Sequence, residues 1–395
     1  MIQEAFATSI KGSALGSVVP ACGKLAVLLR ALEGGGAQKD AILLVNALAA
    51  EGLPVTIVTL CAHGSFKKLI DPRVQIIHIP GERMRHAVLH LRRTICALRP
   101  QLILSSESGL NLFCLAAVRS LPRHARPKVI LREVGSPSVA LKHGAYWQNR
   151  VAYRILRHAY RFADRIITLT DAAKQDLIEN FATPAGKVAT MSSNAVVTPE
   201  AVERIRQWDG ESGREPDLIA SVARLAPEKN HQLLLIALAK IGNRRPWRLA
   251  IIGDGPERVR LVEQANVLGL SDRVSFVGYV DDPYPLLMRA RIAVCTSNHE
   301  GLCNAIIEAL ACGTPVVSTD CPVGPREILQ YGRYGTLVPI GDPSALAEAI
   351  SHALDAPVDR QQLIARAHNY TTKRAADCFV KIIADMSPNS SLTFV

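Results

Sequence analysis

Glu300 and Glu308 flank a short stretch, Gly301-Leu302-Cys303-Asn304, that opens an apolar helical pattern over 304–311. A helix start leaves backbone N–H groups without intrahelical partners and carries the positive end of the helix dipole, so these residues form a seat for a diphosphate. One carboxylate can then accept from sugar hydroxyls and the other from a ribose diol. The alternative is an ordinary acid at a helix start plus a surface Glu. Arg224 and Lys229 stand five residues apart in the segment 221–230, after a strand-like run. Arg offers phosphate oxygens a planar fork and Lys a mobile point charge. A solvated loop with an ordinary Glu228–Lys pair would look the same. Gly34-Gly35-Gly36-Ala37-Gln38 follows the first strand-like run. Such glycines let a backbone approach a ligand, or simply make a tight turn, and they match neither G-x-G-x-x-G nor the Walker loop. Two other chemistries fail. H-E-x-x-H from His299 would need a second His where Cys303 stands, and two Glu so close in sequence rarely flank a scissile glycosidic bond.

These residues sit at the ends of strand-like runs. In the first half, strands are predicted at 24–30, 54–60, 74–79, 102–105, 129–132, 165–169 and 187–191, with helical stretches between most of them. The apolar pattern lapses between Val197 and Asp217 and then starts over. Strands follow at 217–223, 247–252 (ending at Gly253-Asp254-Gly255), 274–277, 292–295, 315–318 and 336–338. Helices follow at about 229–241, 284–290, 304–311 and 343–354. Alternation of this kind predicts an α/β fold, two Rossmann-like domains in tandem with ligands at the carboxyl ends of the parallel strands. The expected organisation is a tail over 1–23, a first domain over 24–197, a linker over 198–216, a second domain over 217–385 and a tail over 386–395.

The 395 residues carry a net charge of +11, unevenly spread. Residues 1–197 hold 25 Lys and Arg against 12 Asp and Glu, a net of +13, while the remainder holds 21 against 23, a net of −2. A basic half fused to a neutral one points to an anionic partner for the first domain. No apolar run approaches the ~20 residues of a membrane span. The nine cysteines are scattered and form no CxxC, which fits buried, reduced thiols and a cytoplasmic protein. The first 23 residues make a poor signal peptide.

Taken in order, several features closely resemble the family-4 retaining glycosyltransferases of the GT-B fold. They are the Arg224-x4-Lys229 loop, Gly253-Asp-Gly-Pro256, Ser297-x2-Glu300-Gly301, Glu300-x7-Glu308, Gly313-x-Pro315-Val-Val and Gly324-Pro-Arg-Glu-Ile328. The resemblance covers about residues 24–385. It implies two Rossmann-like domains whose parallel sheets face across a cleft, the first for the acceptor and the second for a nucleotide-sugar donor. It implies that Arg224 and Lys229 bind the donor diphosphate, with Gly253 in the donor-side loops. Glu300 with Gly301, Leu302, Cys303 and Asn304 would hold sugar and phosphate, and Glu308 the ribose. Gly35 and Gly36 would close over the donor from the other domain. The chain departs from the pattern where relatives often carry a His, here Leu131-Arg-Glu-Val-Gly135. It also has Asn194-Ala195 for the usual Asn-Pro, and Cys303 for a frequent Pro.

The implied reaction moves a hexose or N-acetylhexosamine, with retention, from a nucleotide diphosphate sugar to a lipid-linked or cell-surface glycan. The Gly324–Ile328 loop looks like relatives using UDP rather than GDP donors. No Asp-x-Asp occurs in the chain, so neither a catalytic metal nor any other cofactor is expected. On the acceptor side, Arg150, Arg154, Arg157 and Arg161 recur at helical spacing with Tyr146, Trp147, Val151 and Ile155 interleaved; Arg85, Arg92, Arg93 and Arg99 surround Ala87, Leu89 and Leu91. Basic amphipathic helices with aromatics suit an anionic bilayer, here the cytoplasmic face of the inner membrane; a core-facing stripe under solvated arginines is the alternative. A nucleotide-sugar epimerase, an inactive homologue and a nucleic-acid-binding protein are the competing functions. The last lacks any recognised motif, and no nucleic-acid partner is expected.

Overall fold

A computed structural model describes residues 24–61, 63–80, 84–143, 147–208 and 213–386. The stretch 1–23, read above as a tail, lies outside them. The chain divides into two compact units, each built on one sheet. The first takes in the described residues up to Ala195 together with those from Thr372 onward, and the second is Val196–Thr371.

The first sheet has seven strands, β1 (Leu25–Ala31), β2 (Val55–Cys61), β3 (Gln75–His78), β4 (Leu102–Ser105), β5 (Lys128–Glu133), β6 (Arg165–Thr168) and β7 (Val188–Thr190). They run in the order β3-β2-β1-β4-β5-β6-β7, every pairing parallel. β1 is central, and its first five residues are buried, as a strand covered on both faces requires. The helix Gly36–Ala50 covers one face through Ile42, Leu44, Val45 and Leu48. Phe113, Leu156 and Tyr160 belong to the core on the other.

The second sheet has six strands, β8 (Glu215–Val222), β9 (Arg248–Ile252), β10 (Val274–Gly278), β11 (Ala290–Cys295), β12 (Val316–Thr319) and β13 (Thr336–Val338), in the order β10-β9-β8-β11-β12-β13. These pairings are also parallel. In both sheets the order reverses beside the first strand, between β1 and β4 and between β8 and β11. Loops leaving the carboxyl ends there diverge and open a crevice for ligand.

Two expected boundaries are corrected. The stretch 198–216, read as a linker, contains the helix Pro199–Gln207, started by Thr198, whose hydroxyl accepts from the Ala201 amide at 3.2 Å. Arg204 of that helix pairs with Asp282, so it belongs to the second unit. The second domain does not run on to 385. The helix Thr372–Ala384 returns to the first unit and packs on the helix Gly36–Ala50, burying Ala375, Ala376, Phe379 and Val380 in the core that holds Leu25, Val27 and Leu29. Lys373 reaches Glu51 at 3.2 Å on the rim of that contact. Phe379→Ala is expected to cost the first unit about 3–5 kcal/mol. Hydrogen exchange at the β1 amides reads it, and protection lost only from β8 and β11 would show the helix to be assigned to the wrong unit.

Candidate functional site

Two loops at the carboxyl end of the second sheet carry the residues singled out by spacing. After β8 the chain passes Arg224, makes a single 3₁₀ turn over Pro227–Lys229 and reaches Asn230 in the left-handed region at φ 47°. The Asn230 side chain accepts from the Leu233 amide, so the helix runs His231–Ile241 and begins two residues later than expected. That delay keeps Lys229 in the loop. Its ammonium donates to Glu300 Oε1 at 2.6 Å, and the Ser297 hydroxyl donates to the same oxygen at 2.6 Å. The Glu300 carboxylate is 8% exposed. Burial opposes the Lys229 charge, but Glu300 and the neighbouring cysteine sulfurs outweigh it, and the lysine pKa is raised. The ammonium is therefore permanent at physiological pH.

The loops are also joined through their backbones. Thr296 Oγ1 donates to the Lys229 carbonyl at 2.9 Å, the Asn298 amide to the Glu228 carbonyl at 2.8 Å, and Asn230 Nδ2 to Asn298 Oδ1 at 3.1 Å. Thr319 at the end of β12 donates to the Ser297 carbonyl at 2.6 Å. Arg224 stands apart from this cluster. It donates to Glu228 Oε1 at 2.6 Å and is 61% exposed. The ordinary surface pair thus exists, with Arg224 rather than Lys229 as its cation.

The helix Asn304–Ala311 starts directly after the Glu300 loop, with Leu302 and Cys303 buried ahead of it and Gly313 beyond its end at φ 63°. Cys303 precedes the helix at φ 72°, a value closed to proline, whose ring holds φ near −65°. The loop path here therefore differs from one that a proline would impose. Cys303 Sγ lies 3.5 Å from Cys295 Sγ at the end of β11; this hydrogen bond draws the Cys295 thiol down to about 7, while it and burial push Cys303 up. Glu308 is 7% exposed on the second turn of the helix; burial, and after it the Glu308 charge, push the Tyr284 hydroxyl and the Cys312 thiol up.

Gly253 follows β9 at φ 141°, and a Cβ there would lie 2.0 Å from the Ala223 carbonyl oxygen beside Arg224. Its amide is taken by the Gly278 carbonyl at 2.8 Å; its observed part is this close approach. Gly324 does the same on the other side, where a Cβ would meet the Leu302 carbonyl oxygen at 2.7 Å. Gly35 and Gly36 lie in the first unit, Gly35 capping the helix Gly36–Ala50 with its amide on Gln38 Oε1 at 3.1 Å. Asn298 and Thr319 are site residues that spacing did not single out, and Ser297 entered only as the first position of Ser297-x2-Glu300. Hydroxyl and amide groups at strand ends were the available signal.

Comparison with known proteins decides the family. Residues 203–370 match the family described as glycosyl transferases group 1, and residues 35–193 match the glycosyl transferase 4-like domain. The chain belongs to the group 1 glycosyltransferases. A lipopolysaccharide core biosynthesis glycosyltransferase, LpsE of Rhizobium meliloti, is 28% identical over 89% of this chain and 96% of its own. An N-acetylgalactosaminyltransferase of Campylobacter jejuni, named for a diphospho-undecaprenol-linked acceptor, is 26% identical over 65% of this chain and 67% of its own. Among solved structures, Anabaena HepE in complex with UDP and glucose aligns with a TM-score of 0.72 at 22% identity, covering 92% of this chain and 99% of that one. This likeness establishes the GT-B fold. Membership of the family removes the epimerase reading.

One consequence concerns pH. His231, at the first position of its helix, is 2% exposed, and burial, helped by Lys229, lowers its pKa from 6.5 to about 4. The folded state thus binds fewer protons than the unfolded one between these values. Stability is full above pH 6.5 and falls as pH drops toward 4, by about 3 kcal/mol in all. Melting of the full chain across this window should show that slope, and His231→Gln should flatten it; an unchanged slope would assign it to other groups.

Proposed function

We propose that this glycosyltransferase moves a hexose or N-acetylhexosamine from a UDP-linked donor, with retention and without a metal, onto a lipid-linked or cell-surface glycan in lipopolysaccharide- or polysaccharide-type biosynthesis. The observation that carries the donor side is the buried Lys229–Glu300 pair standing immediately before the helix start at Asn304. The leaving group is a nucleoside diphosphate, so the chief electrostatic demand is on charge growing at phosphate oxygens. Lys229 and the first turn of the helix meet it without rearrangement. Arg224 joins by leaving Glu228, and an exposed pair of that kind is worth only about 0–1 kcal/mol. The diphosphate displaces it easily. Glu300 accepts from the sugar hydroxyls and Glu308 from the ribose. In the front-face reaction that the family implies, the C1–O bond to phosphate breaks as the acceptor oxygen bonds to C1 on the same face. The acceptor proton passes to the departing phosphate.

The names of relatives support the acceptor and nucleotide: the Rhizobium protein is named for lipopolysaccharide core synthesis, the Campylobacter protein for a lipid diphosphate acceptor, and the Anabaena structure holds UDP with glucose. A thermal-shift panel should show UDP and UDP-sugars raising Tm above GDP counterparts. Arg224→Ala and Glu300→Ala should each lower transfer about 10²–10³-fold, and EDTA should not lower it. Full transfer by either variant would sink the proposed donor site.

The surface of the first unit supports peripheral attachment at the cytoplasmic face of the inner membrane. On the helix Trp147–Ala159, Val151 and Ile155 are 43% and 48% exposed, alongside exposed Arg150, Arg154 and Arg157. Tyr153 and Leu156 face the core instead. On the helix Met84–Leu98, Leu89 is exposed and Ala87 and Leu91 are buried. Phe162 is also exposed, with the Arg119 and Arg161 guanidinium groups 4.5 and 4.9 Å from its ring centroid. Tyr146 and the side chains of Arg85 and Trp147 lie outside the described residues. No described helix is long and apolar enough to cross a membrane, so attachment here means lying on the surface through cations and exposed side chains. Flotation should recover the chain with vesicles containing anionic lipid and not with neutral ones, and Arg154→Glu with Arg157→Glu should abolish recovery. Equal recovery with both vesicles would refute it.

A further inference from the structure

Cys295 ends β11, Cys303 precedes the helix Asn304–Ala311, and the loop between them turns back so that their Sγ atoms lie 3.5 Å apart. Both cysteines are reduced. Glu300, on the intervening loop, completes a cluster: one ligand atom from each of the three residues lies within 4.8 Å of the others. The sugar transfer described above uses Glu300 but neither thiol. We propose that Cys295, Cys303 and Glu300 form a binding site for a thiophilic divalent cation of the zinc class.

The geometry is close to what such an ion requires. Tetrahedral zinc with bonds of about 2.3 Å to sulfur holds two thiolates about 3.8 Å apart, near the spacing already present. Two sulfurs select against magnesium and calcium, which take oxygen ligands, and the added carboxylate oxygen suits zinc among the soft ions. Charge also balances. Binding releases the two thiol protons, so the ion meets two thiolates, and the neutral Glu300–Lys229 pair is left as it was. The buried site therefore gains no net charge. Ser297 orients the set, since its hydroxyl lies 2.6 Å from Glu300 Oε1 and 3.5 Å from Cys295 Sγ. Lys229 and Ser297 both donate to Oε1, so ligation through Oε2 keeps both hydrogen bonds. Three protein ligands leave a fourth position for water.

An ion held here draws the Glu300 carboxylate away from sugar hydroxyls. On the donor-site reading it is therefore an inhibitor rather than a catalyst, although its binding does not depend on that reading. The test needs no donor. The full chain, reduced and stripped with chelator, is titrated with Co²⁺ as a coloured substitute for zinc and then with Zn²⁺. The expected result is one equivalent of Co²⁺ bound with a near-ultraviolet sulfur-to-cobalt charge-transfer band, displaced by Zn²⁺. Cys295→Ala and Cys303→Ser should each remove one Co–S bond, cut the band per bound cobalt to about half and weaken binding by at least about tenfold. Cys96→Ala, at an exposed thiol outside the cluster, should change neither. Melting in EDTA identifies the folded variants to compare. A band of undiminished intensity and affinity in folded Cys295→Ala, or a folded, reduced chain that takes up neither ion, would overturn the proposal.

Discussion

A lysine ammonium buried against one carboxylate organises the second unit. Glu300 is 8% exposed and Lys229 21%, so removing the lysine leaves a poorly solvated carboxylate without its counter-charge. The pair thus forces the loop after β8 and the loop after β11 to stay together. Neutral hydrogen bonds from Thr296, Asn298 and Asn230 hold the same two loops in register. These strands are neighbours where the sheet order reverses, so the site stands where the topology opens a crevice. Electrostatics and connectivity point to one place.

Backbone contact tightens the arrangement. Gly253 lets the loop after β9 press against the carbonyl of Ala223, and Gly324 lets the loop after β12 press against that of Leu302. Each contact leaves no room for a Cβ, so both loops act as walls for the cationic turn and the helix start.

Much of this was legible in the sequence. The strands of both sheets announced themselves as short apolar runs because a parallel strand covered on both faces has little room for polar residues. Arg224 and Glu300 lie in loops and Glu308 inside the helix as their spacing suggested, whereas Lys229, expected to open a helix, stays in the loop ahead of it. Other features depended on tertiary context. The Pro199–Gln207 helix was hidden by its polar composition, although Thr198-Pro199 is a helix-start signature. The partner of Lys229 lies far along the chain, and spacing favoured its neighbour Glu228. The thiol pair was invisible for the same reason. A left-handed residue at position 303 was needed to turn the sulfur toward Cys295, and no pattern of residue types records that.

The helix Thr372–Ala384 has a consequence for how the chain is made. It contributes Phe379 and Val380 to the core beneath β1, so the first unit is assembled from both ends of the polypeptide. During synthesis the strands of the first unit emerge early but lack part of their covering layer. The second unit, continuous from Val196 to Thr371, can complete its core before the helix Thr372–Ala384 leaves the ribosome. The half that comes first in sequence is thereby completed by a helix that lies beyond the second unit.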